Sequence, residues 1–288
     1  MTFKNNKTGT AIPVHSATDI TKQKEEQDLK ENLGKIKHKI VVLSGKGGVG
    51  KSTVAVNLAV SLAEKKFRVG LLDVDIHGPS VPKLLGLEKN KLSADENEKL
   101  LPAVYSDHLK VVSVGFLIDD EKDPVVWRGP LKYGIIKQFL KDVAWGELDY
   151  LIIDSPPGTG DEPLSVCQLI EDAAGAVVVT TPQDVALIDV KKSITFCHKL
   201  NMPVLGVVEN MSGFTCPHCG KTVDIFKKGG GKSMSEEMNV PFLGAIPIDI
   251  SIAHGGDAGK PEILANPEKT TGKAFTEILN NILKNISK

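Results

Sequence analysis

The run Gly45-Lys46-Gly47-Gly48-Val49-Gly50-Lys51-Ser52-Thr53 fits the pattern G-x-x-x-x-G-K-[ST]. It follows an apolar run, Ile40–Leu43, and opens a helical pattern over Ser52–Lys65. Strand, glycine loop and helix start together make a cradle for phosphates. The glycines let backbone N–H groups face an anion, and the helix N-terminus adds its positive dipole end. In that cradle Lys51 reaches the β and γ phosphates of a nucleotide and Ser52 ligates Mg²⁺.

Two acidic elements supply the carboxylates such a site needs. Asp73-Val74-Asp75 ends an apolar run and leads into Ile76-His77-Gly78-Pro79-Ser80. A carboxylate at a strand end beside a phosphate loop can hold Mg²⁺ through water or orient the attacking water. Leu151-Ile152-Ile153-Asp154 delivers a second carboxylate to a strand end, where Asp154 is expected in the Mg²⁺ shell. The Pro156-Pro157-Gly158-Thr159-Gly160 loop that follows has two permissive hinges and could sense the γ-phosphate. Asp161 is expected to N-cap the next helix, ahead of Glu162-Pro163. His77 reads as a loop residue rather than a catalyst.

Cys216-Pro217-His218-Cys219-Gly220 carries a CxxC. Three chemistries compete for it: a redox dithiol, half a zinc site and half an iron–sulfur site. A redox dithiol would sit early in a βαβ unit, whereas this pair follows the sixth expected strand. Zinc and [4Fe–4S] clusters generally take four protein ligands, and the chain holds no second CxxC. His218 is poorly placed to chelate alongside both neighbours. Cys167 and Cys197 fall inside amphipathic helical patterns and read as small buried hydrophobes. The simplest completion of the site is a second copy of the chain, contributing its own Cys216 and Cys219 across a two-fold axis.

These residues need a scaffold, and the rest of the chain describes one. Short, continuously apolar runs alternate with longer helical stretches from Lys39 onward. Strands are expected at 40–43, 69–73, 109–114, 150–154, 176–180, 203–209 and 242–246. Helices are expected at 52–65, 130–143, 162–170, 185–200, 232–238 and 273–283. Apolar runs without alternation mark strands buried on both faces, and strand–helix alternation marks a parallel sheet. The fold class is α/β: a doubly wound, mostly parallel sheet with helices on both faces and a CxxC loop insertion at about 212–232. Ligands of such sheets bind outside the carboxyl ends of the strands, where the motifs above fall. Residues 1–34 are polar and charged. They are expected to be a mobile tail or a loosely docked arm, with a short exposed helix over Thr21–Leu33, ahead of a domain spanning 35–288.

Composition narrows the partners. Lys plus Arg is 35 against 36 Asp plus Glu, a net charge of −1, so no global basic field points to nucleic acid or an acidic membrane. Four cysteines in 288 residues are too few for a disulfide framework. No apolar run is long enough to span a bilayer, and no signal peptide is visible, so a cytoplasmic location is expected.

Two levels of resemblance follow. Lys46 beside the first glycine makes the phosphate loop similar to the deviant Walker A group of P-loop NTPases, which includes MinD, ParA and nitrogenase iron protein. That resemblance implies that Lys46 crosses a dimer interface to the partner's nucleotide and acts as an arginine finger does. It also implies that Asp75 is the switch carboxylate of catalysis, that Asn210 hydrogen-bonds the adenine, and that the segment around Pro247 packs on the base. Closer still, GKGGVGKST, DVDIHGPS, VVWRGP, WGELDYLIIDSPPGTGDEPL, VVENMSGFTCPHCG, DIFKKGGGKSMSEEMNVPFLGAIPID and GGDAGKP together resemble the Mrp/ApbC (Nbp-type) family of iron–sulfur cluster carriers. The resemblance covers about Lys39 to Pro261. It implies a homodimer that hydrolyses Mg·ATP slowly, binds a labile [4Fe–4S] cluster between its subunits, receives it from cluster donors and delivers it to apo-proteins. No cysteine lies in residues 1–34, so the N-terminal four-cysteine motif of eukaryotic relatives has no counterpart there.

Two other functions compete. A MinD- or ParA-like positioning ATPase would use a terminal amphipathic helix on a membrane, and Phe275, Ile278, Leu279, Ile282, Leu283 and Ile286 do share one helical face. Packing of that face on the core is the commoner arrangement, and neither nucleic acid nor stable membrane association is expected. In the third reading the CxxC pair holds a purely structural zinc.

Overall fold

A computed structural model describes residues 17–118, 129–216 and 218–287. Among them, eight strands form one sheet: β1 (Ile36–Ser44), β2 (Val69–Asp73), β3 (Ala103–Ser106), β4 (Leu109–Ser113), β5 (Leu148–Asp154), β6 (Gly175–Thr180), β7 (Val204–Glu209) and β8 (Phe242–Ala245). Their order across the sheet is β8-β7-β6-β1-β5-β2-β4-β3. Every neighbouring pair is parallel except β3 with β4, which closes one edge antiparallel. Each of the seven expected strands is present, with boundaries shifted by a few residues at most. The edge strand β3 was not expected.

The helices are α1 (Ala17–Gly34), α2 (Lys51–Glu64), α3 (Val81–Leu85), α4 (Gly129–Asp142), α5 (Asp161–Leu169), α6 (Asp184–Lys199), α7 (Gly230–Glu237), α8 (Ile250–Asp257), α9 (Glu262–Ala265) and α10 (Thr270–Ile286). The strands bury both faces because alternate residues serve different layers. On β1, Ile40 and Val42 join the layer of α2 and α10, with Val54, Leu58, Phe275 and Ile278. Val41 and Leu43 join the opposite layer, with Leu29, Phe139, Trp145 and Val166. A smaller cluster of Val178, Val190, Ile194, Val207 and Met234 seats α6 and α7 on the sheet. A side chain of Val, Leu, Ile or Phe size contributes roughly 1.5–3 kcal/mol when fully buried, so the sheet and its two covers set the stability of the domain.

The apolar face of α10 is part of that core. Phe275, Ile278, Leu279 and Ile282 are buried, so this helix has no free apolar stripe to offer a membrane. No helix among the described residues is long and apolar enough to cross one.

Residues 1–16 and the 119–128 segment, which holds most of VVWRGP, lie outside the described residues. Residues 17–34 contain the helix expected over Thr21–Leu33, longer and more firmly docked than a mobile tail or loosely docked arm. They form α1, and its last turns are docked: Leu29 and Leu33 are buried in the layer shared with α4. Asn32 Nδ2 donates to the carbonyls of Leu140 (2.8 Å) and Val143 (3.0 Å), in the last turn of α4 and just past it. Lys39, fully buried on β1, donates to the carbonyls of Leu33 (3.1 Å) and Ile36 (3.0 Å) and to Asp172 Oδ2 (2.7 Å). Two leucines in a run of Lys, Glu and Gln were enough to fix the helix because these polar groups close around them. Replacing Asn32 by Ala should lower the unfolding free energy by about 1–2 kcal/mol, read as a lower urea midpoint at unchanged slope. A loosely attached arm would leave the midpoint where it is.

Candidate nucleotide and metal site

Strand register puts the functional residues in a row at the carboxyl edge of the sheet. Asp73 pairs with Ser113 on one side and Asp154 on the other, Ser44 pairs with Val179, and Glu209 pairs with both Thr180 and Ala245. The phosphate loop leaves β1 at this edge. Its first glycine is required by packing: a Cβ on Gly45 would lie 2.4 Å from the backbone carbon of Asp189 on α6. Gly50 is required twice over. It adopts φ 82° at the N-cap of α2, and a Cβ there would displace the Asn210 amide from its bond to the phosphate loop. Lys46, Gly47, Gly48, Gly50, Lys51, Ser52 and Thr53 line a cleft of about 380 Å³ together with Asp75, His77, Gly78 and Pro157.

Lys51 sits at the centre, with only 6% of its surface exposed. Its Nζ donates to Asp154 Oδ1 at 2.6 Å and lies 3.3 Å from Asp75 Oδ2. Burial by itself would favour the neutral amine, but Asp154 and Asp75 outweigh it, and Lys51 holds its proton more tightly than a free lysine. Burial pushes the Asp154 carboxyl upward against the pull of Lys51. Asp154 Oδ2 is buried with no hydrogen-bond partner. Asp73 is tethered rather than offered to the cleft: Ser113 Oγ donates to its Oδ2 (2.8 Å) and the Asp75 N–H to its Oδ1 (3.1 Å). Burial, reinforced by neighbouring Asp154, pushes its carboxyl up to about 8. The loop at 155–160 is tied to the phosphate-loop strand by Ser155 N to Val42 O (3.2 Å) and Gly158 N to Ser44 O (2.8 Å). Asp161 is not the cap expected of it. It is the first residue of α5, Gly160 holds the N-cap position, and no side chain caps that end.

Asn210 and Pro247 lie farther along the same edge. Asn210 is buried, and its Nδ2 donates to the Val49 carbonyl (2.9 Å), so in this structure the amide props the phosphate loop from below. Pro247 is half-buried in a segment joined to residues 212–213 by Ser212 N to Ile246 O and Ile248 N to Gly213 O.

The CxxC insertion grows from the end of β7. Phe214–Thr215 pairs antiparallel with Thr222–Val223, and the Cys216 N–H donates to the Lys221 carbonyl (2.9 Å) while Gly220 N–H returns to Cys216 O (2.9 Å). Gly220 takes φ 69°, which closes this knuckle. Cys216 is half-buried and Cys219 exposed; Pro217 between them lies outside the described residues. N–H donors of Cys219 and His218 stabilise the Cys216 thiolate and lower its pKa. Among the described residues no group of three His, Cys, Asp or Glu side chains is gathered to hold a metal. One chain therefore brings two thiolates to one place. Cys167 and Cys197 are core residues, as expected, and burial pushes both thiols up to about 12.

One anchor escaped the sequence reading. Glu209 is fully buried and accepts from Ser212 Oγ (2.5 Å), Gly229 N (2.9 Å) and Gly231 N (2.5 Å). It thereby clamps both ends of the CxxC insertion and the start of α7. A carboxylate closing the apolar run Val204–Val208 is the signal that marked it, since a buried charge needs partners. Ser113, Asp189 and Lys132 gave no comparable signal.

The donor set around Lys51 fits a hard cation. The Ser52 hydroxyl and the Asp75 carboxylate line the cleft with oxygen donors of the type Mg²⁺ takes, and next to them Asp154 keeps a buried Oδ2 without a partner, as a residue that would serve such an ion or its water. The thiolate pair is chemically distinct and suits soft or borderline metals.

Comparison with known proteins points the same way. A family model described as ParA, the NUBPL iron-transfer P-loop NTPase, matches residues 35–283. An iron-sulfur cluster carrier protein of Methanocaldococcus jannaschii is 49% identical over 284 residues, covering 98% of this chain and 97% of that protein. The cytosolic Fe-S cluster assembly factor CFD1 of Kluyveromyces lactis is 50% identical over 262 residues, covering 88% and 93%. Among solved structures, the nucleotide-binding protein of Archaeoglobus fulgidus in complex with ADP superposes with a TM-score of 0.75 at 42% identity, covering 87% of this chain and 96% of that one. The cell division ATPase MinD of Pyrococcus furiosus gives a TM-score of 0.64 at 25% identity, covering 86% and 98%.

Two outcomes follow from this geometry. In reduced, metal-free protein, Cys216 should alkylate with a pH midpoint below that of an ordinary thiol, while Cys167 and Cys197 stay unlabelled until denaturant is added; mass spectrometry of the peptides reads both. Glu209→Ala should cost about 2–4 kcal/mol and open the 213–229 insertion to limited proteolysis, because three donors lose one carboxylate.

Proposed function

This chain belongs to the ParA family of NUBPL iron-transfer P-loop NTPases, and from that premise we propose that it is an ATP-hydrolysing carrier of iron–sulfur clusters. Its cargo is a labile [4Fe–4S] cluster, held between two copies of the chain by Cys216 and Cys219 of each and handed to apo-proteins in the cytoplasm. The observation that carries this reading is the half site: two thiolates, one exposed and one half-exposed, on the same sheet edge as the nucleotide cleft, with no third ligand gathered among the described residues. Apolar side chains around the insertion favour a covered face. Val223 and Ile225 on the insertion, and Val185 and Ile188 on α6, are each more than half exposed. The Lys227–Asp184 ion pair brings insertion and helix together.

ATP binds in the cleft at 44–53. Backbone N–H groups of Gly47 to Ser52 meet the phosphates, and Lys51 turns from its carboxylate partners to the β and γ oxygens. Mg²⁺ would be held by Ser52, Asp75 and Asp154, and when bound would supply charge neutralisation on the phosphates. Asp75 orients the attacking water, whose oxygen bonds to the γ-phosphorus as the bond to the bridging oxygen of ADP breaks. Lys46 lines the same cleft and stabilises the transferring group on the nucleotide of the other copy. Asn210 and Pro247 flank the adenine. Closing two copies over two nucleotides brings the two CxxC knuckles into register, and reopening loosens their grip on the cluster.

Anaerobic reconstitution with ferrous iron and sulfide tests the cargo. The parent chain should gain the brown charge-transfer absorption of a cluster and pass it to an apo-ferredoxin; Cys216→Ala/Cys219→Ala should do neither. Colour retained by the double variant, or zinc in place of iron in protein purified without air, overturns the reading. Lys51→Ala and Lys46→Ala should each lower kcat for ATP by about a hundredfold or more. Unchanged turnover of Lys51→Ala removes the nucleotide site from the mechanism.

A further inference from the structure

Beside the cleft lies a cluster that none of the motifs above accounts for. Lys132 stands in the first turn of α4, and its Nζ donates to Glu162 Oε1 at 2.6 Å. The same Nζ lies 3.1 Å from His77 Nε2. His77 follows Asp75 by two residues and lines the nucleotide cleft. Glu162 stands in the first turn of α5, directly after the 155–160 loop. Three segments distant in sequence therefore meet at one ammonium group.

An ammonium has donors only, so Lys132 is the donor to Glu162, and its Nζ stands within hydrogen-bond reach of the His77 ring nitrogen. Glu162 Oε1 also lies 3.4 Å from His77 Nε2, so the three side chains form one cluster in which Lys132 contacts both of the others. Its Lys132–Glu162 half is shielded, with side chains 15% and 21% exposed, whereas the His77 ring faces solvent. The hydrogen bond from Lys132 holds the Glu162 carboxyl below the usual range, as expected for a charge-assisted bond. The loop it grips is also anchored by Ile76, buried in the core layer, and by the Asp75–Lys51 ion pair. Asp75 is held to Asp73 through its own N–H, and Gly78 N–H donates to the Asp75 carbonyl within the turn.

We propose that Lys132 is a positioning residue of the nucleotide site, tying the Asp75–His77 loop to the first turn of α5 so that the loops on the two sides of the γ-phosphate move as one unit. Lys132 touches neither phosphate nor water in this role. It sets where Asp75 stands relative to Lys51, and it couples that placement to the 155–160 loop that hydrogen-bonds the phosphate-loop strand. The proposal rests on the reading that this cleft hydrolyses ATP, and its test separates the two.

Amide hydrogen exchange and ATP turnover are measured on the full chain, Lys132→Ala, Lys132→Arg and Glu162→Gln, with and without a non-hydrolysable Mg·ATP analogue. Lys132→Ala should speed exchange by about tenfold both in 75–80 and in 156–164, and leave 45–53 within twofold of the parent. Turnover should fall about tenfold with the KM for ATP within twofold, and Lys132→Arg should restore most of both. Glu162→Gln, nearly isosteric, should reproduce the loosening of 75–80 although the substitution lies on α5, and it serves if Lys132→Ala does not fold. Exchange that changes in one segment only, or turnover and exchange both unchanged, overturns the proposal. A parent chain without any ATP turnover would refute the hydrolysis reading, while the exchange pattern still decides whether the two loops are coupled.

Discussion

Two carboxylates, Asp73 and Asp154, face each other on adjacent parallel strands with no exposure to solvent, and one ammonium group makes that arrangement tolerable. Like charges buried side by side drive each other toward the neutral form. Lys51 on Asp154, and the Ser113 hydroxyl with the Asp75 N–H on Asp73, compensate them. The geometry exists because β1, β5 and β2 are neighbours in a parallel sheet, which brings the phosphate loop and both carboxylates to one edge. The layers of apolar side chains on each face hold those strands in register. A shift of one residue would move every side chain to the other face and dissolve the site.

The same edge continues to β7, where Glu209 takes over the organising role. It fixes the roots of the CxxC insertion, and Asn210 next to it supports Val49 in the phosphate loop. Adjacent residues of one strand end thus contact both functional regions. Any displacement of the phosphate loop would act on Asn210, and through the backbone on the insertion that carries Cys216 and Cys219. This contiguity is a physical route by which nucleotide state and thiolate geometry can be linked.

How much of this was legible beforehand depends on how local each signal is. The phosphate loop, Asp75, Asp154 and the CxxC pair are contiguous motifs at the ends of apolar runs, and each stands where the strand pattern put it. The docking of α1 was hidden because its sequence is mostly charged and its grip depends on Asn32 reaching carbonyls 108 and 111 residues away. Ser113 on Asp73 and Lys132 on Glu162 were silent for the same reason: their partners are 40 and 30 residues distant. Asp161 misled because an acid before Glu-Pro fits a cap, whereas Gly160 takes that place and Asp161 begins the helix. The four cysteines divide as their contexts suggested, two sealed in the core and two at the knuckle.

The central claim is that one chain holds half a cluster site and that two chains complete it. Native mass spectrometry of anaerobically reconstituted protein addresses this directly, since it weighs subunits and cargo in one particle. The account predicts a dimer carrying a single [4Fe–4S] cluster, with Cys216→Ala/Cys219→Ala yielding no cluster-bearing species. A monomer carrying its own cluster, or a dimer whose only metal is zinc, would contradict it.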